Sequence, residues 1–472
     1  MIGHHIQAIV LAAGKSNRFN VGRTKILEKI CGREMILYPA KLLESMNILS
    51  TYVVGYQKEA VQATLSNNLD SDPKFVHQKE QLGTGHAVMC TQETWEKDHL
   101  LILNGDMPLI NREIIQQLFE KHVNSQAVMS FVTAHFEEPN AYGRVVYQDG
   151  KVKIIEAKDF VGNLNESCWI NAGIYLIKKY FLKEYISKLN TNNKAQEFYI
   201  TDLVGIASDN NYHVETLPVA YDSIRGINTL KELWEVEHIK RSELIEYWMS
   251  KGVRFSKAHT VHIDLDVTIG SGTVIGQAVQ LLGKTIIGSN SIVEPFTVLQ
   301  DATIGNNVTI YSHSVLKESS IANDSKIGPF AYVHSKSKVG EFATVGNFCE
   351  LSCSIIGNRT QTQHMVYLGN SEIGADVYIG AGTSTNDFDG MLYQKTIIKD
   401  KVKLRGNNSI IAPVTVNASE DIEVGCMIMS EEKYNENMSS SCGNGCLTLR
   451  ERQNSLPATK IFQFKTKKSG AI

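Results

Sequence analysis

The residues best suited to chemistry sit in glycine-bearing loops and at the end of an apolar strand. The first apolar run, Ile6–Ala12, passes directly into LAAGKSNRF, and Lys25 follows in GRTK. A glycine loop directly after a strand can aim backbone N–H groups at phosphate oxygens, and Arg18 and Lys25 would add fixed positive charge. Cations in a loop are more often solvated surface than ligand contacts. Further on, Gln81–Ala87 reads QLGTGHA, whose lack of side-chain bulk suits the close approach of a flat base. Asn104–Pro108 reads NGDMP directly after the apolar LLIL. An aspartate there is a natural ligand for a divalent cation, or else a turn or cap residue. Tyr142-Gly143-Arg144, Glu156, Asn171 and Gly226-Ile227-Asn228 follow in order.

These residues need a scaffold, and the first half supplies an alternating one. Ile6–Ala12, Thr51–Tyr56, His99–Leu103, Ala127–Thr133 and Ile170–Ile177 read as short strands. Met35–Met46 and Asn111–His122 read as helices between them. Such alternation predicts an α/β architecture with a mostly parallel sheet, its ligand loops at the carboxyl ends of the strands. From Leu230 to Ser250, apolar residues recur at helical spacing among Glu, Lys and Arg, which predicts a helical arm.

After Val253 the texture changes. An aliphatic residue followed by glycine recurs at Ile269-Gly270, Ile275-Gly276, Ile287-Gly288, Ile304-Gly305 and onward to Ile379-Gly380, with several gaps of six or twelve residues. A hexapeptide repeat keeps that period because each six-residue step forms one side of a parallel β-helix coil. The aliphatic points into the narrow core, and stacked coils stabilise one another. The predicted organisation is therefore 1–229 as the α/β domain, 230–252 as the arm, 253–455 as the β-helix and 456–472 as a basic tail.

Composition excludes several classes. The 472 residues are 43% hydrophobic and 21% charged, with a formal net charge of -3. That is ordinary for a globular protein and argues against wholesale disorder. Mean hydropathy is -0.16 and the pI is about 6.5. Bulk charge gives no argument for nucleic acid or membrane binding, and no apolar run reaches spanning length. The N-terminus has no basic segment before its apolar run and reads as a strand rather than a signal peptide. Among the eight cysteines, Cys349/Cys353 and Cys442/Cys446 are CxxxC pairs without a second pair at zinc spacing, which favours reduced cytosolic thiols.

The order LAAG…R…K, QLGTGHA, GD and GIN resembles the sugar-1-phosphate nucleotidyltransferases. Specifically, it resembles the bacterial bifunctional N-acetylglucosamine-1-phosphate uridylyltransferase/glucosamine-1-phosphate N-acetyltransferase family. The likeness continues through VGNF at Val345–Phe348, YLGNSEIG at Tyr367–Gly374 and IGAGT at Ile379–Thr383. It implies a Rossmann-like nucleotidyltransferase domain, a helical arm and a left-handed parallel β-helix. It implies Mg²⁺ as cofactor, with UTP and acetyl-CoA as co-substrates, and a cytoplasmic homotrimer without nucleic acid or membrane partners. Leu11, Ala12, Ala13 and Gly14 would contact the nucleotide, and Arg18 and Lys25 would hold its triphosphate. Gln78, Gly83 and Thr84 would surround the uracil, Asp106 and Asn228 would coordinate Mg²⁺, and Gly143, Glu156 and Asn171 would bind the sugar. Asn104 stands where the family usually has Tyr.

For the β-helix, the resemblance implies acetyl transfer to glucosamine-1-phosphate with His364 as general base and Tyr367 on the substrate. Ala381, Asp387 and Phe388 would lie at acetyl-CoA. From the residues alone, a histidine on the coil surface is the better reading of His364. The surroundings depart from the family: His334 replaces Arg, Ser352 and Tyr393 each replace Lys, and Tyr378 replaces Asn. Asp387-Phe388 replaces Asn-Tyr, Gly406 replaces Ser, and Val424 replaces Ala. Cationic phosphate contacts are thus missing unless Lys336, Lys338, Lys395 or Arg405 compensates. Arg450 or Arg452 would reach the CoA phosphate. The alternative is an active uridylyltransferase whose β-helix is mainly a trimer scaffold. A non-catalytic subunit would show decay at Arg18, Lys25, Asp106 or Asn228, and all four are present.

Overall fold

The computed structural model describes residues 2–15, 19, 22–136, 142–148, 150–160, 168–440, 450–451 and 459–463. Two compact units make up the chain, Met1–Lys240 and Arg241–Ile472. Arg18, Cys442, Cys446, Arg452 and most of the basic tail lie outside the described residues.

Nine strands build the sheet of the first unit: β1 (Ile6–Ala12), β2 (Leu49–Val54), β3 (Lys74–His77), β4 (His99–Asn104), β5 (Met129–His135), β6 (Arg144–Gln148), β7 (Lys151–Ile155), β8 (Trp169–Lys178) and β9 (Val214–Val219). Their order is β3-β2-β1-β4-β8-β5-β9, with β6 pairing β8 and β7. β1 is parallel to both β2 and β4, in register at Ile9↔Thr51 and Ile9↔Ile102. β8 runs antiparallel to β4 and β5, so the sheet is mixed.

The helices are α1 (Leu37–Ser45), α2 (Lys58–Asn68), α3 (Thr84–Met89), α4 (Arg112–Asn124), α5 (Lys179–Tyr185) and α6 (Asp202–Asp209). Alternate residues of β1 feed two separate cores. Ala8, Val10 and Ala12 join Leu43 of α1, Leu65 of α2 and Leu118 of α4. Ile9 joins Val88 of α3, Phe181 of α5 and Leu203 of α6. A strand covered by helices on both faces must be apolar on both, which is why Ile6–Ala12 reads as a continuous run rather than an alternation.

Helix α7 spans Leu230–Ser250, as its spacing predicts, and the division between units falls within it, after Lys240. In the second unit Leu244, Ile245 and Trp248 pack on the core of the repeats.

That unit is the left-handed β-helix. Strands of mostly two or three residues form three faces, and each strand up to Ser409–Ile411 pairs in parallel with the third strand after it. On one face the inward column runs Ile275, Val293, Ile310, Ile327, Val345, Thr362, Ile379, Leu404, Ile422, all buried. Threonine interrupts the aliphatics where its hydroxyl has work: Thr362 Oγ1 accepts from the Gly346 N–H at 3.1 Å and Thr385 Oγ1 from the Gly369 N–H at 2.8 Å. The step from Ile379 to Leu404 is longer than the others because an extra loop follows Asn386. Thr459–Gln463, within the stretch expected as a tail, is a strand antiparallel to Cys426–Ser430.

Candidate functional site

The chain leaves β1 toward β2 on one side, and β4 flanks β1 on the other. Loops at the carboxyl ends of β1 and β4 therefore diverge and open a crevice. A cavity of about 840 Å³ fills it, lined by Leu11, Ala12, Ala13, Gly14, Lys25, Gln78, Gly83, Thr84, Asp106 and Asn228, among others. A second cavity of about 280 Å³ is lined by Gly143, Glu156 and Asn171, and shares Leu11, Thr84, Asn104, Asp106 and Asn228 with the first. Apart from Arg18, every residue expected at the first site lines one cavity or both.

Two glutamines pin the loops. Gln81 Nε2 donates to the Ala13 carbonyl at 2.7 Å, and Gln78 Nε2 donates to the Gly83 carbonyl at 3.1 Å. Gly83 has φ +107, and a Cβ there would lie 2.6 Å from the Phe198 carbonyl oxygen, so only glycine fits. QLGTGHA is not a loop throughout: α3 begins at Thr84, whose Oγ1 accepts from the Ile200 N–H at 3.1 Å.

Asp106 and Asn228, the pair expected to hold a divalent cation, are fixed from both sides. The Gly105 N–H donates to the Leu11 carbonyl at 2.9 Å, tying the start of the Asp106 turn to β1. Asn228 precedes α7, where Thr229 and Glu232 form a capping box. Glu232 Oε2 accepts from the N–H groups of Asn228 at 2.7 Å and Thr229 at 2.8 Å, and Thr229 Oγ1 accepts from the Glu232 N–H at 3.2 Å. Between the two side chains sits the Lys25 ammonium, 2.5 Å from Asp106 Oδ2 and 2.9 Å from Asn228 Oδ1. Two hard oxygens from distant parts of the chain thus converge on one positive charge. That donor set fits a divalent cation such as Mg²⁺ that keeps water and phosphate ligands. Among the described residues no group of three His, Cys, Asp or Glu gathers as a metal cluster.

In the smaller cavity, Glu156 is largely buried. Burial pushes its carboxyl above the usual range, and the Thr201 hydroxyl, donating to Oε1 at 2.9 Å, opposes that shift. Asn171 Nδ2 donates to the Tyr175 hydroxyl at 2.6 Å, while its Oδ1 accepts from the Gly173 N–H at 3.1 Å. Tyr142 accepts from the Gly226 N–H at 2.8 Å. Sequence reasoning missed Gln81, Tyr175 and Thr201. The capping box in Asn228-Thr-Leu-Lys-Glu232 was the one legible signal for what fixes Asn228.

On the β-helix, His364 is exposed, and Gly382, beside Ala381, donates its N–H to the His364 carbonyl at 3.2 Å. Tyr367 approaches Asp387 Oδ1 at 3.4 Å, and burial together with that carboxylate pushes the phenol up to about 12. Asp387 is buried, whereas Phe388 is exposed and tilts against Tyr393 at 4.9 Å. His334 is in register with Ser352 and has both ring nitrogens engaged, Nδ1 with Ser335 Oγ at 2.8 Å and Nε2 with Glu350 Oε1 at 3.2 Å. Lys395 is paired with Glu372 at 2.6 Å, and Arg405 grips Asp421 through two bonds of 2.8 Å. Two of the four candidate replacement cations are therefore already committed.

Comparison with known proteins agrees with this architecture. Residues 8–157 match the MobA-like NTP transferase domain, and residues 257–370 match the GMPPB C-terminal domain. The fold and its crevice define a nucleotidyltransferase joined to a β-helix. Bifunctional protein GlmU of Clostridium botulinum is 34% identical over 446 residues, covering 90% of this chain and 93% of that one. The GlmU protein of Clostridium beijerinckii is 33% identical over 430 residues, covering 90% and 94%. The chain belongs to the bifunctional GlmU family.

Proposed function

We propose that the first unit transfers a uridylyl group from UTP to N-acetylglucosamine-1-phosphate, releasing pyrophosphate, and that the β-helix N-acetylates glucosamine-1-phosphate with acetyl-CoA. The observation that carries the first assignment is the meeting of Lys25, Asp106 and Asn228 where two adjoining cavities share their walls. One cavity suits a nucleotide and the other a sugar, so the sugar phosphate and the α-phosphorus would meet at that border.

The nucleophile is a phosphate oxygen that is already an anion, so no strong base is required. An O–P bond forms to the α-phosphorus as the bond to pyrophosphate breaks. The barrier lies in bringing anions together and in charge on the leaving group. Lys25 and the Gly14 loop would hold the triphosphate, Glu156 and Asn171 would orient the sugar, and Gly83 and Thr84 would receive the base. Asp106 and Asn228 would hold Mg²⁺, which when bound supplies charge neutralisation. Both co-substrates are cytoplasmic metabolites, and the proposal locates a homotrimeric enzyme with them. No described helix is long and apolar enough to cross a membrane.

A second reading for the β-helix, a trimer scaffold with weak or no acetyl transfer, is favoured by the engaged nitrogens of His334 and the committed Lys395 and Arg405. Two assays on the full chain separate the readings: pyrophosphate release from UTP with N-acetylglucosamine-1-phosphate, and CoA release from acetyl-CoA with glucosamine-1-phosphate. Pyrophosphate without CoA selects the scaffold reading, and neither product overturns the proposal.

A further inference from the structure

Lys25 holds a place that its role toward the triphosphate does not require. Its ammonium bridges Asp106 Oδ2 at 2.5 Å and Asn228 Oδ1 at 2.9 Å, and the Lys25 and Asp106 side chains are only 16% and 15% exposed. These are the two oxygens assigned to the divalent cation. An ammonium at those distances and a metal ion on the same two side chains would sit at contact distance and repel each other.

We propose that Lys25 is a placeholder for the divalent cation: it occupies the metal pair until the triphosphate draws it away, so metal entry depends on nucleotide binding. This rests on the reading of Asp106 and Asn228 as the metal pair. The physical argument has two parts. A largely buried carboxylate without a neighbouring cation pays desolvation, and the ammonium beside Asp106 offsets that cost and holds the side chain in place while the site awaits its metal. The same contact must be lost when a metal binds, which subtracts from metal affinity. A bound triphosphate offers Lys25 a stronger set of acceptors and removes that penalty. By linkage, a bound metal raises nucleotide affinity by the same factor. Lys25 is then a positioning residue for the metal ligands as well as a contact to substrate.

The test measures Mn²⁺ binding to the full chain by electron paramagnetic resonance of the free ion, with and without UTP and without any sugar phosphate. Lys25→Met should tighten Mn²⁺ binding in the absence of UTP by about tenfold, the low end of what one adjacent opposite charge does to an ionisable group. Lys25→Arg, which keeps the charge, should stay near wild type. The ratio of Mn²⁺ affinities with and without UTP should fall in Lys25→Met by a comparable factor. Unchanged or weaker Mn²⁺ binding in Lys25→Met overturns the placeholder role, as does an equal gain in Lys25→Arg. Asp106→Ala serves as the separate check on the underlying reading. If it leaves Mn²⁺ affinity untouched, the metal assignment itself fails; if it abolishes binding while Lys25→Met changes nothing, only the placeholder fails.

Discussion

Asn171 and Tyr175 lie on either side of an irregularity in β8, and the Asn171 amide nevertheless donates to the Tyr175 hydroxyl at 2.6 Å. The irregularity brings a side chain that lines the smaller cavity within reach of a fully buried phenol. That bond and the one from the Gly173 N–H leave the amide a single orientation. Tyr175→Phe removes the acceptor but keeps the ring. The expected result is a rise in KM for N-acetylglucosamine-1-phosphate of roughly five- to tenfold, the scale of one lost hydrogen bond to a buried group. The KM for UTP should hold. Steady-state kinetics with each substrate varied checks this, and an equal rise in both KM values would count against it.

The proposed metal pair gives a sharper expectation. Asp106→Ala or Asn228→Ala should lower uridylyl transfer by about 10² or more, the cost of losing one preorganised charge-stabilising group. The β-helix should remain folded, since its core is built within Arg241–Ile472. Pyrophosphate release near the wild-type rate from Asp106→Ala would remove the aspartate from the mechanism.

Some of this was legible because local chemistry and fold agree. Ile6–Ala12 is apolar on both faces, ends in glycine, and is the central strand at the crevice. Asp106 follows an apolar strand and stands where the sheet order reverses. The repeats after Val253 state their own period, since each buried aliphatic recurs one coil later. The remainder depends on contacts no local pattern encodes. Tyr175 meets Asn171 only through an irregular register, and Thr201 reaches Glu156 from the start of another helix. Whether Lys395 and Arg405 are available cations depends on Glu372 and Asp421, which are neighbours on adjacent coils and distant in sequence.

Acid sensitivity should come from the core of the first unit. His122 is buried in α4 with Nδ1 2.7 Å from Ser130 Oγ, while its Nε2 has no hydrogen-bond partner. Burial, with His99 beside it, pushes its pKa down from 6.5 to about 3. His99 is shifted down for the same reason. The unfolded chain takes up a proton on His122 near pH 6.5, which the fold refuses until about pH 3. Stability therefore falls as pH drops through that window and is fully present above it. One such group contributes a slope of about 1.4 kcal/mol per pH unit at most. Urea unfolding at pH 7 and pH 4.5 should show the loss, and His122→Gln should flatten it. An equal loss in the variant would place the acid sensitivity elsewhere.

Assembly should depend on an exposed ring column. Phe296, His313, Phe330 and Phe348 stack on successive coils with centroids 4.9, 4.9 and 5.0 Å apart. The three phenylalanines are 45%, 46% and 58% exposed in the single chain. A strip of exposed aromatic rings of this kind is a candidate contact surface. We propose that a neighbouring subunit of the trimer covers it. Joint substitution Phe330→Asp and Phe348→Asp should convert trimers of the full chain to monomers in light scattering. A trimer that survives both changes would show that other parts of the β-helix hold it.

The last expectation concerns the acetyl acceptor. His364→Ala should abolish CoA release and spare pyrophosphate release, because the two candidate sites belong to separate units. Glucosamine-1-phosphate should bind weakly in the native protein. His334 is held by Ser335 and Glu350, Ser352 carries no charge, Tyr393 stands beside Phe388, and Lys395 and Arg405 are spent on carboxylates. Each charge-assisted phosphate contact contributes about 1.5–3 kcal/mol, or roughly ten- to hundredfold in affinity. Combining His334→Arg, Ser352→Lys and Tyr393→Lys should then lower KM for glucosamine-1-phosphate by about tenfold or more, leaving KM for acetyl-CoA in place. Arginine at 334 would also take over the Glu350 carboxylate, so the gain should grow when Glu350→Gln is added. If the native protein already acetylates this substrate at low concentration and the triple variant changes nothing, Lys336 and Lys338 hold the phosphate instead, and the weakened-pocket reading is wrong.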